Sequence, residues 1–204
     1  MKINEVKYDP NKKSIIIIEG AQGVGKTSFA NYCRENIPFT NLYRLSGISD
    51  KSSTGYQKTK DMYNILLEYM KGFENTDINL VFDRTFFSEE IFCRLGYKEY
   101  KFSDAYKVLL EKLNDINLNI FVIFLYVDNI ELFIERLKRE KTKTFTNFLL
   151  ETSVDQQNEY LKMAKELEVC DNINPVIVAT DNFDQAYNKL KELIPPLNGK
   201  IEKV

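Results

Sequence analysis

No histidine occurs anywhere in the chain. Its absence removes every histidine base, the Ser-His-Asp triad and any histidine metal ligand, and with them whole classes of hydrolase mechanism. Cysteine is scarce as well. Cys33, Cys93 and Cys170 are odd in number and widely spaced, which suggests neither a zinc site nor a disulfide framework and fits a reducing compartment. Positive charge is not in excess: 28 Lys and Arg stand against 30 Asp and Glu, a formal net charge of −2. A surface that coats nucleic acid is therefore not expected, and basic character must be local, as suits a small anionic ligand. Also missing is any apolar run approaching the ~18 residues of a membrane span. Residues 1–13 are polar and lysine-bearing, without the apolar core of a secretory signal. The expected setting is cytoplasmic, away from membranes. The rest is ordinary for a folded protein: 44% hydrophobic and 28% charged residues over 204 positions, enough for one core and one domain over 1–204.

Along the chain, β-branched apolar runs alternate with helical periodicity. Residues 14–19 hold four consecutive isoleucines and read as a strand buried on both faces. Further strands are predicted over 39–45, 78–82, 120–127 and 176–179. Helices are predicted over 26–36, 58–73, 86–95, 102–115, 130–141, 150–169 and 181–194, the last capped by Asp181 or Asn182. Residues 46–56 have loop composition. The polar, Thr- and Lys-rich stretch near 141–147 predicts a covering lid over 138–149. Five strands separated by helices, with no hairpin signal between them, predict an α/β fold: a five-stranded parallel sheet wrapped by helices in three layers.

Directly after the first predicted strand comes Gly20-Ala21-Gln22-Gly23-Val24-Gly25-Lys26-Thr27, followed by Ser28. The spacing lets the backbone bend its N–H groups inward around phosphate oxygens, a shape that side chains resist. Lys26 is set to reach the β- and γ-phosphates and Thr27 offers a hydroxyl to Mg²⁺. The helix that follows aims its positive end at the anion. A chance glycine-rich turn is the bland alternative, but a buried strand before and a helix after are the context that a phosphate loop requires. ATP and Mg²⁺ are the expected cofactors.

A second constellation ends the third predicted strand, where Leu80-Val81-Phe82 leads into Asp83 and Arg84. In an open parallel sheet, ligands bind beyond the carboxyl ends of the strands. Asp83 could serve Mg²⁺ or accept a proton, and Arg84 could hold a second anion. From this point the chain resembles the thymidylate kinase-like superfamily, which includes thymidylate kinases and deoxyribonucleoside kinases. The resemblance rests on Ile18-Glu19-Gly20 opening the phosphate loop, Asp83-Arg84-x3-Ser88, Leu125-Tyr126-Val127-Asp128, Glu135-Arg136-Leu137-x-Arg139 and Tyr160-Leu161. It implies the P-loop kinase architecture and transfer of the γ-phosphoryl of ATP to a small nucleoside or nucleotide. It further implies that Arg84 contacts the acceptor's phosphate or 5′ group, that Arg136 and Arg139 are lid arginines bearing on the transferring phosphoryl, and that residues 54–115 include a homodimer face. Catalytic roles thus fall to Lys26, Asp83, Arg84 and Arg139.

The acceptor is less readable. Thymidylate kinases usually carry an acid at the position of Gln22 and an Arg-Glu-Pro-Gly stretch where this chain has Arg44-Leu45-Ser46-Gly47. Arg44 as a phosphate ligand favours a monophosphate acceptor, whereas Asp50 or Asp83 as a base favours a nucleoside hydroxyl. Tyr43, Tyr56, Gln57, Phe87 and Tyr97 are candidates for the base pocket, since aromatic rings stack on bases and an amide pairs with their edges. A deoxynucleoside monophosphate is the leading acceptor. The alternatives are a nucleoside 5′-hydroxyl, an ATPase or switch with no acceptor, and a kinase for polynucleotide ends or modified bases.

Overall fold

The isoleucine run is the centre of the molecule. In the computed structural model, which describes residues 6–139 and 146–198, it lies within β1 (Ser14–Gly20), every residue of which is buried. Successive side chains of a strand point to opposite faces. Ile15 and Ile17 accordingly enter the core on one side of the sheet, and Ile16 and Ile18 the core on the other. Each full burial stabilises by roughly 1.5–3 kcal/mol, so a central strand is the natural place for four of them.

The chain continues through α1 (Lys26–Asn36), β2 (Thr40–Arg44), α2 (Ser53–Lys71), β3 (Asn79–Asp83), α3 (Phe86–Arg94), α4 (Ser103–Asn114), β4 (Asn119–Tyr126), α5 (Ile130–Arg139), α6 (Asn147–Glu166), β5 (Ile173–Ala179) and α7 (Phe183–Leu193). The five strands are parallel in the order β2-β3-β1-β4-β5. Helices α2, α3, α4 and α6 cover the face of Ile15, while α1, α5 and α7 cover the face of Ile16. This is the three-layer α/β arrangement the sequence predicts. The order changes direction at β1, and register brings the functional strand ends together: Asp83 pairs with Ile18 on one side and with Arg44 on the other. Gly20, Arg44 and Asp83 therefore share the carboxyl edge where parallel sheets bind ligands.

Three element starts differ from expectation by three residues or more, each for a local reason. Helix α2 begins at Ser53, five residues before the predicted start. Asp50 Oδ1 accepts from the Ser52 N–H and hydroxyl, and Oδ2 from Thr54 and Lys58, so a composition typical of loops builds a helix start. Helix α6 begins at Asn147 because Thr146 caps it, accepting from the Leu149 N–H at 3.0 Å. Strand β5 runs through Pro175, which an edge strand tolerates. Of the predicted lid, residues 140–145 lie outside the described residues. Among the described residues no helix is long and apolar enough to cross a membrane.

Candidate active site

The phosphate loop joins β1 to α1, and its glycines stand where a side chain has no room. Gly20 has φ 144°, and a Cβ there would lie 2.6 Å from the Leu125 carbonyl oxygen. Gly25 has φ 94°, with the Phe183 ring 2.8 Å from the same point. Ala21 and Val24 are fully buried, so they serve the loop through their backbone, and Val24 O accepts from the Thr180 hydroxyl at 2.9 Å. Lys26 folds back under the loop and donates to the Ala21 carbonyl. Helix α1 has no acid in its own first turn, which favours an anion at its positive end. Gln22, Gly23, Gly25, Lys26, Thr27 and Ser28 line one wall of a cavity of about 660 Å³.

Arg44, Leu45, Ser46, Asp83 and Arg84 line the same cavity. The Thr27 hydroxyl donates to Asp83 Oδ2 at 2.9 Å, tying the phosphate loop to β3. Hydroxyl and carboxylate oxygens side by side suit Mg²⁺, a hard cation that takes few protein ligands and completes its shell with phosphate and water. Arg84 is in the left-handed region at φ 76°, a conformation costing on the order of 1–3 kcal/mol for a non-glycine residue. Its surroundings hold it there. The Arg84 N–H donates to Ile18 O at 3.1 Å, the Thr85 N–H to Glu19 Oε1 at 2.7 Å, and the Leu45 N–H to Asp83 O at 3.2 Å. Arg44 is exposed and donates to Asn31 Oδ1 at 2.6 Å.

Two further arginines of α5, Arg136 and Arg139, reach the same cavity, as does Phe183. They are held very differently. Arg136 donates to Thr180 Oγ1 at 3.0 Å and to Thr180 O at 2.6 Å, and its guanidinium lies 4.6 Å from the centre of the Phe183 ring. Burial lowers its pKa from the ordinary arginine value. Arg139 is exposed and, among the described residues, its ion pair is with Glu135 on its own helix, an interaction worth a few tenths of a kcal/mol. Arg136 is thus a fixed part of the cavity lining beside Phe183, whereas Arg139 is held by a weaker, exposed pair.

No family model matches the chain. A curated relative, the dephospho-CoA kinase of Mycoplasma genitalium, is 23% identical over 190 residues, covering 93% of this chain and 82% of the relative. Among solved structures, the YorR protein of Bacillus subtilis in complex with phosphorylated GDP superposes with a TM-score of 0.63 at 14% identity, over 90% of this chain and 96% of that one. Thymidylate kinase from Candida albicans gives 0.60 at 15% identity, over 90% and 92%. Deoxyadenosine kinase from M. mycoides with bound dATP gives 0.58 at 16% identity, over 91% and 99%. The chain has the P-loop kinase fold.

Within that fold, the phosphate loop, Arg44, Asp83, Arg84, Arg136 and Arg139 converge on one cavity. The proposed base-pocket residues do not join them. Phe87 is fully buried, stacked on Phe86 and edge-on to Tyr106 and Phe124, so its assignment to the acceptor site is corrected: it is core. Tyr56 lies edge-on to Tyr100 and Phe102, and the exposed Gln57 donates its amide to Asp61. Asp50, weighed as a base, is engaged on both oxygens, and Lys58 first among its donors holds its carboxyl well below the usual range. Thr180 and Phe183 leave no signal in the sequence. Glu19 enters it only within the motif Ile18-Glu19-Gly20, although an acid closing an isoleucine strand is itself a signal, since buried acids are rare unless partnered.

Proposed function

We propose that the protein transfers the γ-phosphoryl group of ATP to the phosphate of a deoxynucleoside monophosphate. The observation that supports this reading is that two sets of anion-binding groups line one cavity: the phosphate loop with Lys26, and Arg44 with Arg84. In the transfer, the bond between the β,γ-bridging oxygen and the γ-phosphorus breaks and a bond to an acceptor phosphate oxygen forms, leaving ADP and a nucleoside diphosphate. A phosphate monoester, with a second pKa near 6, has mostly lost its second proton at neutral pH, so its oxygen needs no general base. Asp50, the other acid weighed as a base, is engaged by its own helix start. Lys26 and the loop N–H groups hold the donor phosphates, Arg84 and Arg44 hold the acceptor, and Arg139 neutralises charge on the transferring group. Mg²⁺, held through Thr27 and Asp83, would offset the charge of the donor phosphates.

A panel of acceptors tests this: nucleoside monophosphates, nucleosides, dephospho-CoA and a DNA oligonucleotide, each with ATP and Mg²⁺. Product formation is scored against ATP hydrolysis with no acceptor. A deoxynucleoside monophosphate is expected to give the highest kcat/KM. Preferential phosphorylation of a nucleoside 5′-hydroxyl would transfer the reading to a nucleoside kinase with Asp83 as base, and equal ATP turnover without any acceptor would make the chain an ATPase.

A further inference from the structure

Outside the residues that line the cavity sits Glu19. It is fully buried at the end of the central strand, where a carboxylate is costly unless every oxygen is bonded. Oε1 accepts from the Thr85 N–H at 2.7 Å and from the Thr85 hydroxyl at 3.3 Å. Oε2 accepts from the Ser88 hydroxyl at 2.6 Å, and Ser88 Oγ lies 2.7 Å from the Tyr160 hydroxyl. One side chain therefore joins β1, the turn between β3 and α3, and helix α6. Arg84, in its left-handed conformation, is the residue immediately before Thr85.

We propose that Glu19 is a positioning residue for Arg84: its carboxylate, anchored through Ser88 to Tyr160, fixes the turn that presents this arginine to the acceptor. The inference rests on the reading of Arg84 as an acceptor ligand. A plain brace would need only shape and could be an amide. What the charge adds is direction. An ionised Glu19 only accepts, so Ser88 must donate to it and Tyr160 can donate to Ser88, giving a single orientation along the chain.

The groups that face Glu19 are Arg84 from the turn, Lys26 from α1, Ser88 from α3, Tyr160 from α6 and Tyr63 from α2. Burial pushes the carboxyl up to about 7, against the Ser88 hydroxyl, the Arg84 charge, the Thr85 N–H and the Lys26 charge, which pull it down. Above that pH Glu19 is charged and the chain is oriented. Below it the carboxyl gains a hydrogen and can donate to Ser88, the order reverses, and the negative charge near Arg84 is lost.

The test is Glu19→Gln, which keeps the shape and stays neutral at every pH. Since the acceptor's own phosphate titrates near pH 6, the wild-type profile is read only as a ratio to the variant. At pH 8.5 the variant's acceptor kcat/KM is expected to be about tenfold below wild type, the order expected from losing one charge-assisted hydrogen bond, with ATP affinity held within about twofold. The ratio should approach one by pH 5.5. A readout free of turnover is the Arg84 Nε–H NMR resonance, identified by its loss in Arg84→Lys. It should titrate near pH 7 in wild type and not in Glu19→Gln. In Ser88→Ala, which removes a donor to the charged form, the midpoint should rise by about one unit. If no acceptor is phosphorylated, the kinase reading fails while the resonance still decides the role of Glu19. A pH-independent activity ratio, or an Arg84 titration that persists in Glu19→Gln and is unmoved in Ser88→Ala, overturns the inference.

Discussion

On the proposed reading, the donor and acceptor sides of the cavity are made of different material. The donor wall is backbone: a wholly buried strand, glycines packed against the Leu125 carbonyl and the Phe183 ring, and a helix end without acids. The acceptor wall is side chain: Arg44 and Ser46 are exposed, and Arg84 depends on a strained turn. Backbone recognition reads what every nucleoside triphosphate shares, its phosphates. Side-chain recognition reads what distinguishes one acceptor from another, and it can be changed without disturbing the core.

The difference can be broken first at the donor wall. Lys26→Ala is expected to lower kcat by on the order of a hundredfold or more for every acceptor alike, the scale of losing one preorganised charge contact to the transferring group. Steady-state kinetics with two acceptors checks it, and an acceptor-dependent loss would contradict the division of labour. Arg84→Ala should come next, with acceptor kcat/KM falling about tenfold to a hundredfold while ATP binding by calorimetry stays within about twofold. Unchanged acceptor kinetics would remove Arg84 from the site. Arg44→Ala is expected to cost about tenfold in KM for a monophosphate acceptor and almost nothing for a nucleoside, because only the former offers a phosphate to the guanidinium. Equal effects on both would mean that Arg44 acts through its bond to Asn31 on α1 instead.

The contrast between walls also decides what could be read from the sequence. A backbone site leaves a residue-type trace, because left-handed loop positions demand glycine at set intervals, so Gly20, Gly23 and Gly25 were visible at once. Asp83 and Arg84 were visible for a topological reason: a parallel sheet delivers its strand ends to one edge. Side-chain sites leave no such trace. An aromatic residue at helical spacing looks the same whether it meets a base or a core, and Phe87 proved to be core. Asp50 looked like a free acid in a loop because the helix it starts is built from residues equally common in loops. Glu19 was conspicuous in its strand, but its partners lie 66 and 69 residues away, and nothing local to it names them.

The smallest expected effect tests how far the acceptor wall extends. Gln57 was assigned to the base pocket because an amide can pair with a base edge. In the fold it is exposed on α2, with its amide on Asp61 one turn further along the same helix. Such a surface bond contributes only a few tenths of a kcal/mol, so Gln57→Ala should change acceptor kcat/KM by less than about twofold and melting temperature hardly at all. A loss of about tenfold or more for one base and not another would mean that α2 turns its exposed face toward the acceptor when it binds. The acceptor wall would then include residues that the unliganded cavity does not, and side-chain recognition would depend on movement as well as on composition, in contrast to a donor wall already complete in its backbone.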